Sequence, residues 1–237
     1  VSKRAEGIKQ ASKMWNNAIT CAKHPYLTRK KLPCINLKKI GEMLLIPLYD
    51  ISGALSCIQT ISPHGEKKFP GMPMKGYFHI IGDLEKSKDA YVCEGYATGL
   101  SVHLASKLPV IVAFSSKMVS VIGKTIQNKY TNVNLTLAAD NGEAGVKASV
   151  EWKEVITPSV VFPKGYSDFN DVWVFDGPEA AREQLAIKGP VNFDDIDIGS
   201  FLSKKLPPVV SINQFLQEGT FNILFGEAGV GKSRISY

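Results

Sequence analysis

Three short stretches place carboxylates at the ends of apolar runs. Glu94 follows "AYVC" in "YVCEGYATGLS", Asp140 closes the run in "LAADNGEAG", and Asp168 and Asp171 lie in "YSDFND". Acids collected at one edge repel one another, and a hard divalent cation held by carboxylate oxygens is their natural counter-charge. The middle stretch has an ordinary reading as well. Asp, Asn and Gly are what surface turns are made of, and Glu143 would suit a helix start, where the dipole favours an acid. The alternative is that Asn141-Gly142 takes up positive backbone angles and swings Glu143 back beside Asp140 as a second carboxylate. Both readings stand at the level of sequence.

The elements that must position these acids follow one pattern. Short apolar runs at 90–93, 110–114, 133–139 and 159–163 alternate with helical stretches at 97–107, 116–129, 143–153 and 178–187. Strands alternating with helices of ten or more residues predict an α/β fold, a parallel sheet with helices on both faces. Such sheets carry their chemistry at the carboxyl ends of the strands. Glu94, Asp140 and the Asp168/Asp171 pair follow the first, third and fourth strands, so all fall on that edge.

The chain in front of the sheet is different. Residues 2–23 read as a helix, with Ile8, Ala11, Trp15 and Ile19 at helical spacing and Pro25 breaking it. Trp15 reads as a packing anchor. From 43 to 80 the pattern is of strands, with a hairpin turn at Asp50–Gly53. Residues 1–75 hold 13 Lys or Arg against four acids, a net of +9 in a chain whose total is +6. Local clusters ("TRKKL", "LKK", "EKKF") sharpen that asymmetry, so residues 24–85 form a small basic α+β subdomain suited to a polyanion.

Other classes are excluded. No run approaches the roughly 18 apolar residues of a membrane span, and "VSKRAEGIKQ" leads into no signal-peptide core. The first residue is not Met, and the chain is read as a cut from a longer one. Four cysteines lie far apart in sequence without a C-x-x-C pair, which argues against zinc and fits buried thiols in a reducing cytoplasm. Residues 191–215 read as an acidic, then Pro-rich linker. The tail holds Gly226-x-x-x-x-Gly231-Lys232-Ser233 after a strand-like run, a phosphate-cradling loop in which Lys232 would meet the outer phosphates and Ser233 a magnesium ion. The chain ends four residues later, so residues 216–237 read as the start of a RecA-like helicase domain, with no ATPase expected of them here.

With these residues in order, the chain resembles the Toprim domain of primases, topoisomerases and some nucleases. "EGYATGLSVHLASKLPVIVAF" and "AADNGEAG" are most similar to Toprim primases of plasmids, phages and integrated elements. "HPYLTRKKL", "LLIPLYDISGALSCIQ" and "KKFPGMPMKGYFHIIG" resemble the basic front half of a primase polymerase core, so the likeness covers roughly residues 24–190, with the Toprim part at 86–190. The resemblance implies metal-dependent primer synthesis in the cytoplasm on a single-stranded DNA template, with Mg2+ or Mn2+ and nucleoside triphosphates. A helicase domain would follow covalently in the full-length chain. It implies Glu94 as metal ligand or general acid/base, Asp140 as the first acid of an Asp-x-Asp pair, Asp168 as the later metal acid, and Asp171 beside it. Lys68 and Lys75 correspond to lysines near the incoming nucleotide, and Arg29, with Lys30 and Lys31, to the DNA-binding basic face. Gly142 stands where the second aspartate is expected, a loss that Glu143 would have to make good. That gap leaves open a weakened DNA-loading module, and the same acids would also serve a nuclease. A topoisomerase is not expected, because those enzymes need a tyrosine nucleophile on further domains for which this chain has no room.

Overall fold

The structure, a computed structural model, describes residues 3–156 and 159–186 and the backbone of two strands at 222–225 and 233–236. The chain divides into two units, Val1–Ile187 and Lys188–Tyr237.

The first unit opens with α1 (Lys3–Asn17), β1 (Ile19–Thr20), α2 (Pro25–Arg29), β2 (Lys38–Ile40), β3 (Met43–Tyr49), β4 (Leu55–Ile61) and β5 (Lys67–Lys68). The helix expected over 2–23 therefore stops at Asn17. Asn16 and Asn17 are poor helix residues, and β-branched Ile19 and Thr20 pair instead with Lys39 and Lys38 of β2. Pro25 does not only break the chain: it opens α2, whose cap is His24, with Nδ1 accepting from the Tyr26 N–H. The five strands form one antiparallel sheet in chain order. Its β3–β4 hairpin turns where expected, with Asp50 accepting from the N–H groups of Ser52 and Ala54 and Gly53 at φ +88°. Pro47 is tolerated within β3 because β2 pairs only as far as Leu45, so the missing N–H faces no ladder.

The second sheet follows: β6 (His79–Ile81), β7 (Asp89–Cys93), α3 (Tyr96–Ser106), β8 (Val110–Val112), α4 (Ser116–Lys129), β9 (Asn134–Ala138), α5 (Glu143–Val155), β10 (Val160–Val161), α6 (Phe169–Phe175) and α7 (Gly177–Leu185). The strand order is β10-β9-β7-β8-β6. The four strands read from sequence are parallel, while β6 lies antiparallel on β8, so the sheet is mixed rather than purely parallel. The cause is connectivity: β6 arrives directly from the front sheet, to which a Tyr49–Phe78 bridge joins it. Helices cover both faces. Leu100, Phe169, Val172, Ala181 and Leu185 pack on one, and Val119, Ile122, Ile126 and Trp152 on the other.

The core runs without a break between the sheets, from Leu27, Leu44 and Ile46 to Tyr91, Cys93 and Leu100. Cys21 and Cys34, remote from a C-x-x-C spacing, meet in it with their sulfurs 3.4 Å apart. Burial and Cys21 push the Cys34 thiol up to about 12. No helix among the described residues is long and apolar enough to cross a membrane.

In the second unit, β11 (Asn222–Phe225) and β12 (Ser233–Ser236) form an antiparallel pair. Ser233 thus begins a strand and not the helix into which a phosphate loop ordinarily leads. Gly226, Gly231, Lys232 and the expected linker at 191–215 lie outside the described residues.

Candidate active site

β7 and β9 are neighbours, yet the chain leaves β7 toward β8 and leaves β9 toward β10 on the other side. This is a topological switch point, where an open α/β sheet has a crevice outside its strand ends. Glu94 follows β7 and Asp140 follows β9 at that crevice. The Glu94 carbonyl accepts from the Phe114 N–H at 2.8 Å, which fixes the chain as it turns into α3. Behind Asp140 the next helix comes so close that a Cβ on Gly145 would lie 2.1 Å from the Asp140 carbonyl oxygen. Only glycine fits there. A small cavity at the strand ends is lined by Glu94, Ser116, Ala138, Asp140 and Gly145.

The fourth-strand acids reach the same crevice by a stapled loop. The Asn141 side-chain amide donates to the carbonyls of Pro163 and Tyr166, and its backbone N–H donates to Ser167 O at 2.7 Å. Asp168 then caps α6, with Oδ1 accepting from the Asp171 N–H at 2.9 Å. Asp171 accepts from Ser167 Oγ and faces Lys30 Nζ at 3.8 Å.

Electrostatics tie these acids together. The Asp140 carboxyl is pushed up to about 7, first by burial, then by Asp168 and Glu94, with Lys67 opposing and Asp171 adding a little. Its Oδ1 is buried without a hydrogen-bond partner. The Cys93 thiol behind it is raised by burial and by Asp140, Asp168 and Glu94. Such a field of hard oxygens, with one uncompensated and buried, fits a divalent cation such as Mg2+ or Mn2+. Among the described residues no three His, Cys, Asp or Glu side chains already stand close enough to hold a metal ion. A cation would have to draw the carboxylates inward.

Glu143 does not join them. It is the exposed first residue of α5, and it is absent from the charges that raise Asp140. The positive-angle turn is also not formed, since Gly142 is extended at φ −149° and ψ 166°. The reason is the staple at Asn141, which directs the chain along the 163–167 loop and straight into α5. A Cβ on Gly142 would meet nothing within 4 Å.

The basic residues are placed unevenly. Lys68 is exposed and pairs loosely with Glu66 at 3.7 Å, and Lys75 is exposed before β6. The lysine that acts on Asp140 is its neighbour Lys67. Successive side chains on a strand point to opposite faces, and a two-residue strand gives no pattern from which to choose between them. Arg29 is exposed but donates from Nη2 to Pro63 O at 2.5 Å. Lys30 and Lys31, expected on the DNA-binding face, reach α6 in this structure: Lys30 faces Asp171, and Lys31 Nζ donates to the Val174 carbonyl at 2.8 Å. α6 presents unsatisfied carbonyls and an acid there, which attract them. Asn141 and Asn170 are further site residues that sequence patterns did not flag, because their partners, Pro163 and Tyr166 for the one and Lys30 and Ser101 of α3 for the other, are distant in sequence.

A family model for the Toprim domain matches residues 89–179. The chain is 28% identical over 124 residues to the DNA primase TraC of Escherichia coli, covering 49% of this chain and 12% of that protein. Its fold is similar to the primase fragment of the bacteriophage T7 primase-helicase protein, with a TM-score of 0.50 at 18% identity, over 62% of this chain and 65% of that one. A weaker likeness, TM-score 0.46 at 16% identity, is to the RNA polymerase domain of Mycobacterium tuberculosis primase DnaG, over 76% and 66% of the two chains. This chain thus spans only part of the length of the relatives it matches.

Proposed function

We propose, from the premise that residues 89–179 are a Toprim domain, that this chain is a DNA primase module. It would join nucleoside triphosphates into short primers on single-stranded DNA. The observation that carries the reading is the shared field of Glu94, Asp140 and Asp168 at the switch point, expressed in the raised Asp140 carboxyl. Glu94, Asp140 and Asp168 would hold Mg2+ or Mn2+, with Asp171 beside them. When bound, the cation supplies neutralisation of charge on the nucleotide phosphates.

The chain's own residues do the rest. Glu94, half-buried at a strand end, would exchange a proton with the attacking hydroxyl. The charge of Lys67 opposes the rise of the Asp140 carboxyl, and its ammonium would also serve a phosphate bound there. Lys68 and Lys75, exposed on the same front segment, meet the triphosphate tail as point charges. The basic front sheet with Arg29 carries the template through its backbone.

The phosphate-loop motif at Gly226–Ser233 supports a longer chain in which a helicase domain follows. The likeness to primases of plasmids and phages supports a role in copying a mobile element. Gly142, which offers no carboxylate, favours a second reading: a module with weakened chemistry that chiefly loads onto DNA. Incubation with mixed-sequence single strands, labelled ribonucleotides and Mn2+ decides between them. Short products whose composition follows the template support the primase. DNA binding without product supports the second reading.

A further inference from the structure

We propose that Asn170 is a positioning residue, whose amide ties the acid-bearing helix α6 to α3 and to the loop after α2. It thereby sets Asp168 and Asp171 relative to Glu94 and Asp140. This rests on the reading of those acids as ligands of a divalent cation.

Asn170 lies between the two acids in sequence and is 0% exposed. Its Nδ2 donates both to the Lys30 carbonyl at 3.1 Å and to Ser101 Oγ at 2.9 Å. The orientation of the amide is fixed by these partners. A carbonyl can only accept, and the Ser101 hydroxyl already donates to Ala97 O at 3.0 Å. Ser101 sits on α3, which starts two residues after Glu94. One amide therefore joins the element that follows Glu94, the helix that carries Asp168 and Asp171, and the basic loop.

A helix of seven residues does not hold itself in place, and other bonds act in the same direction. Trp173 Nε1 donates to Lys31 O at 3.0 Å, and Lys31 Nζ returns a bond to Val174 O. Lys31 adopts φ +51°, a left-handed conformation that sets this exchange. If Asn170 served packing alone, an apolar side chain of its size would do as well. Its Oδ1 remains buried without a partner, which is a poor choice for packing.

The test uses the whole chain, with Mn2+ affinity measured directly by titration alongside thermal melting and primer synthesis. Asn170→Leu keeps the branched shape, with somewhat more bulk, and removes the amide. The proposal expects melting close to wild type, Mn2+ affinity lower by about tenfold, and synthesis partly restored by excess Mn2+. Ser101→Ala, which removes one of the two acceptors of the amide together with the bond to Ala97 O, should show a smaller loss in the same direction. Unchanged Mn2+ affinity in a folded Asn170→Leu variant overturns the proposal. If that variant fails to fold, Ser101→Ala decides, with unchanged affinity again overturning it. A wild-type chain that binds no Mn2+ also overturns it. A wild-type chain that binds Mn2+ but makes no primer removes the primase reading, while weaker binding by Asn170→Leu still supports the positioning role.

Discussion

Asp140 carries the largest electrostatic strain among the site carboxylates that structure and sequence share. Its carboxyl is raised from 3.8 to about 7, so the fold favours the protonated form. That contribution is present below about pH 4 and lost as pH rises through 7. Metal-free Asp140→Asn should therefore gain stability over wild type between pH 5 and pH 8, by on the order of 2 kcal/mol. Melting both proteins in chelator at the two pH values checks this, since the variant-to-wild-type difference cancels other titrations such as that of His79. A gap that does not change with pH would remove the assignment. Gly142 offers a second test. Its extended backbone and open surroundings accept a side chain, so Gly142→Asp should add a carboxylate and tighten Mn2+ binding by about tenfold. Glu143→Gln should leave that binding as it was, because Glu143 is exposed at the helix start. The acids Glu94, Asp140 and Asp168 were legible from strand-end position alone. Lys67 and Asn170 were not, since one depends on the facing of a two-residue strand and the other on partners 69 and 140 residues away.

Elements were legible where periodicity was long. α3, α4 and α5 follow the expected stretches closely: α4 and α5 carry an apolar face over three or more turns, and α3 is a run of eleven residues buried on nearly all sides. α6 escaped notice: it is seven residues long, and its cap, Asp168, was read only as a ligand. α1 was drawn too long because Ile19 continues its spacing, although it lies 63% exposed on an edge strand. β6 was grouped with the front sheet, as nothing in three residues announces which sheet they join. The junction of β9 and α5 yields a prediction at this scale. Gly145→Ala would press a methyl group into the Asp140 carbonyl. A cost of about 2–3 kcal/mol is expected, together with weaker Mn2+ binding, because the backbone that must move carries Asp140. Denaturant melting with Mn2+ titration reads both, and an unaffected variant would mean that the approach is looser than described.

For the whole molecule, the net charge of +9 over residues 1–75 is the ground for proposing that a template lies on the front sheet. Lys30 and Lys31 reach α6, Arg29 bonds the Pro63 carbonyl and Lys68 pairs loosely with Glu66, while Lys67 and Lys75 are exposed on the same front segment. Affinity for single-stranded DNA should fall steeply with salt, with a logarithmic slope of about −2 to −3 for three or four phosphate contacts. Reversing Lys68 and Lys75 together should flatten that slope for all sequences alike, whereas Lys31→Glu should chiefly lower stability. Binding indifferent to salt would contradict the placement. The central claim, that the strand-end carboxylates at the switch point perform primer synthesis, is tested most directly at Glu94. Template-directed incorporation of labelled ribonucleotides with Mn2+ should be measured for the wild type and for Glu94→Gln, with a melting curve for each. The account predicts short templated products from the wild type, a loss of at least about a hundredfold in the variant, and closely similar melting curves. A Glu94→Gln protein that melts normally and makes primers at the wild-type rate would contradict it.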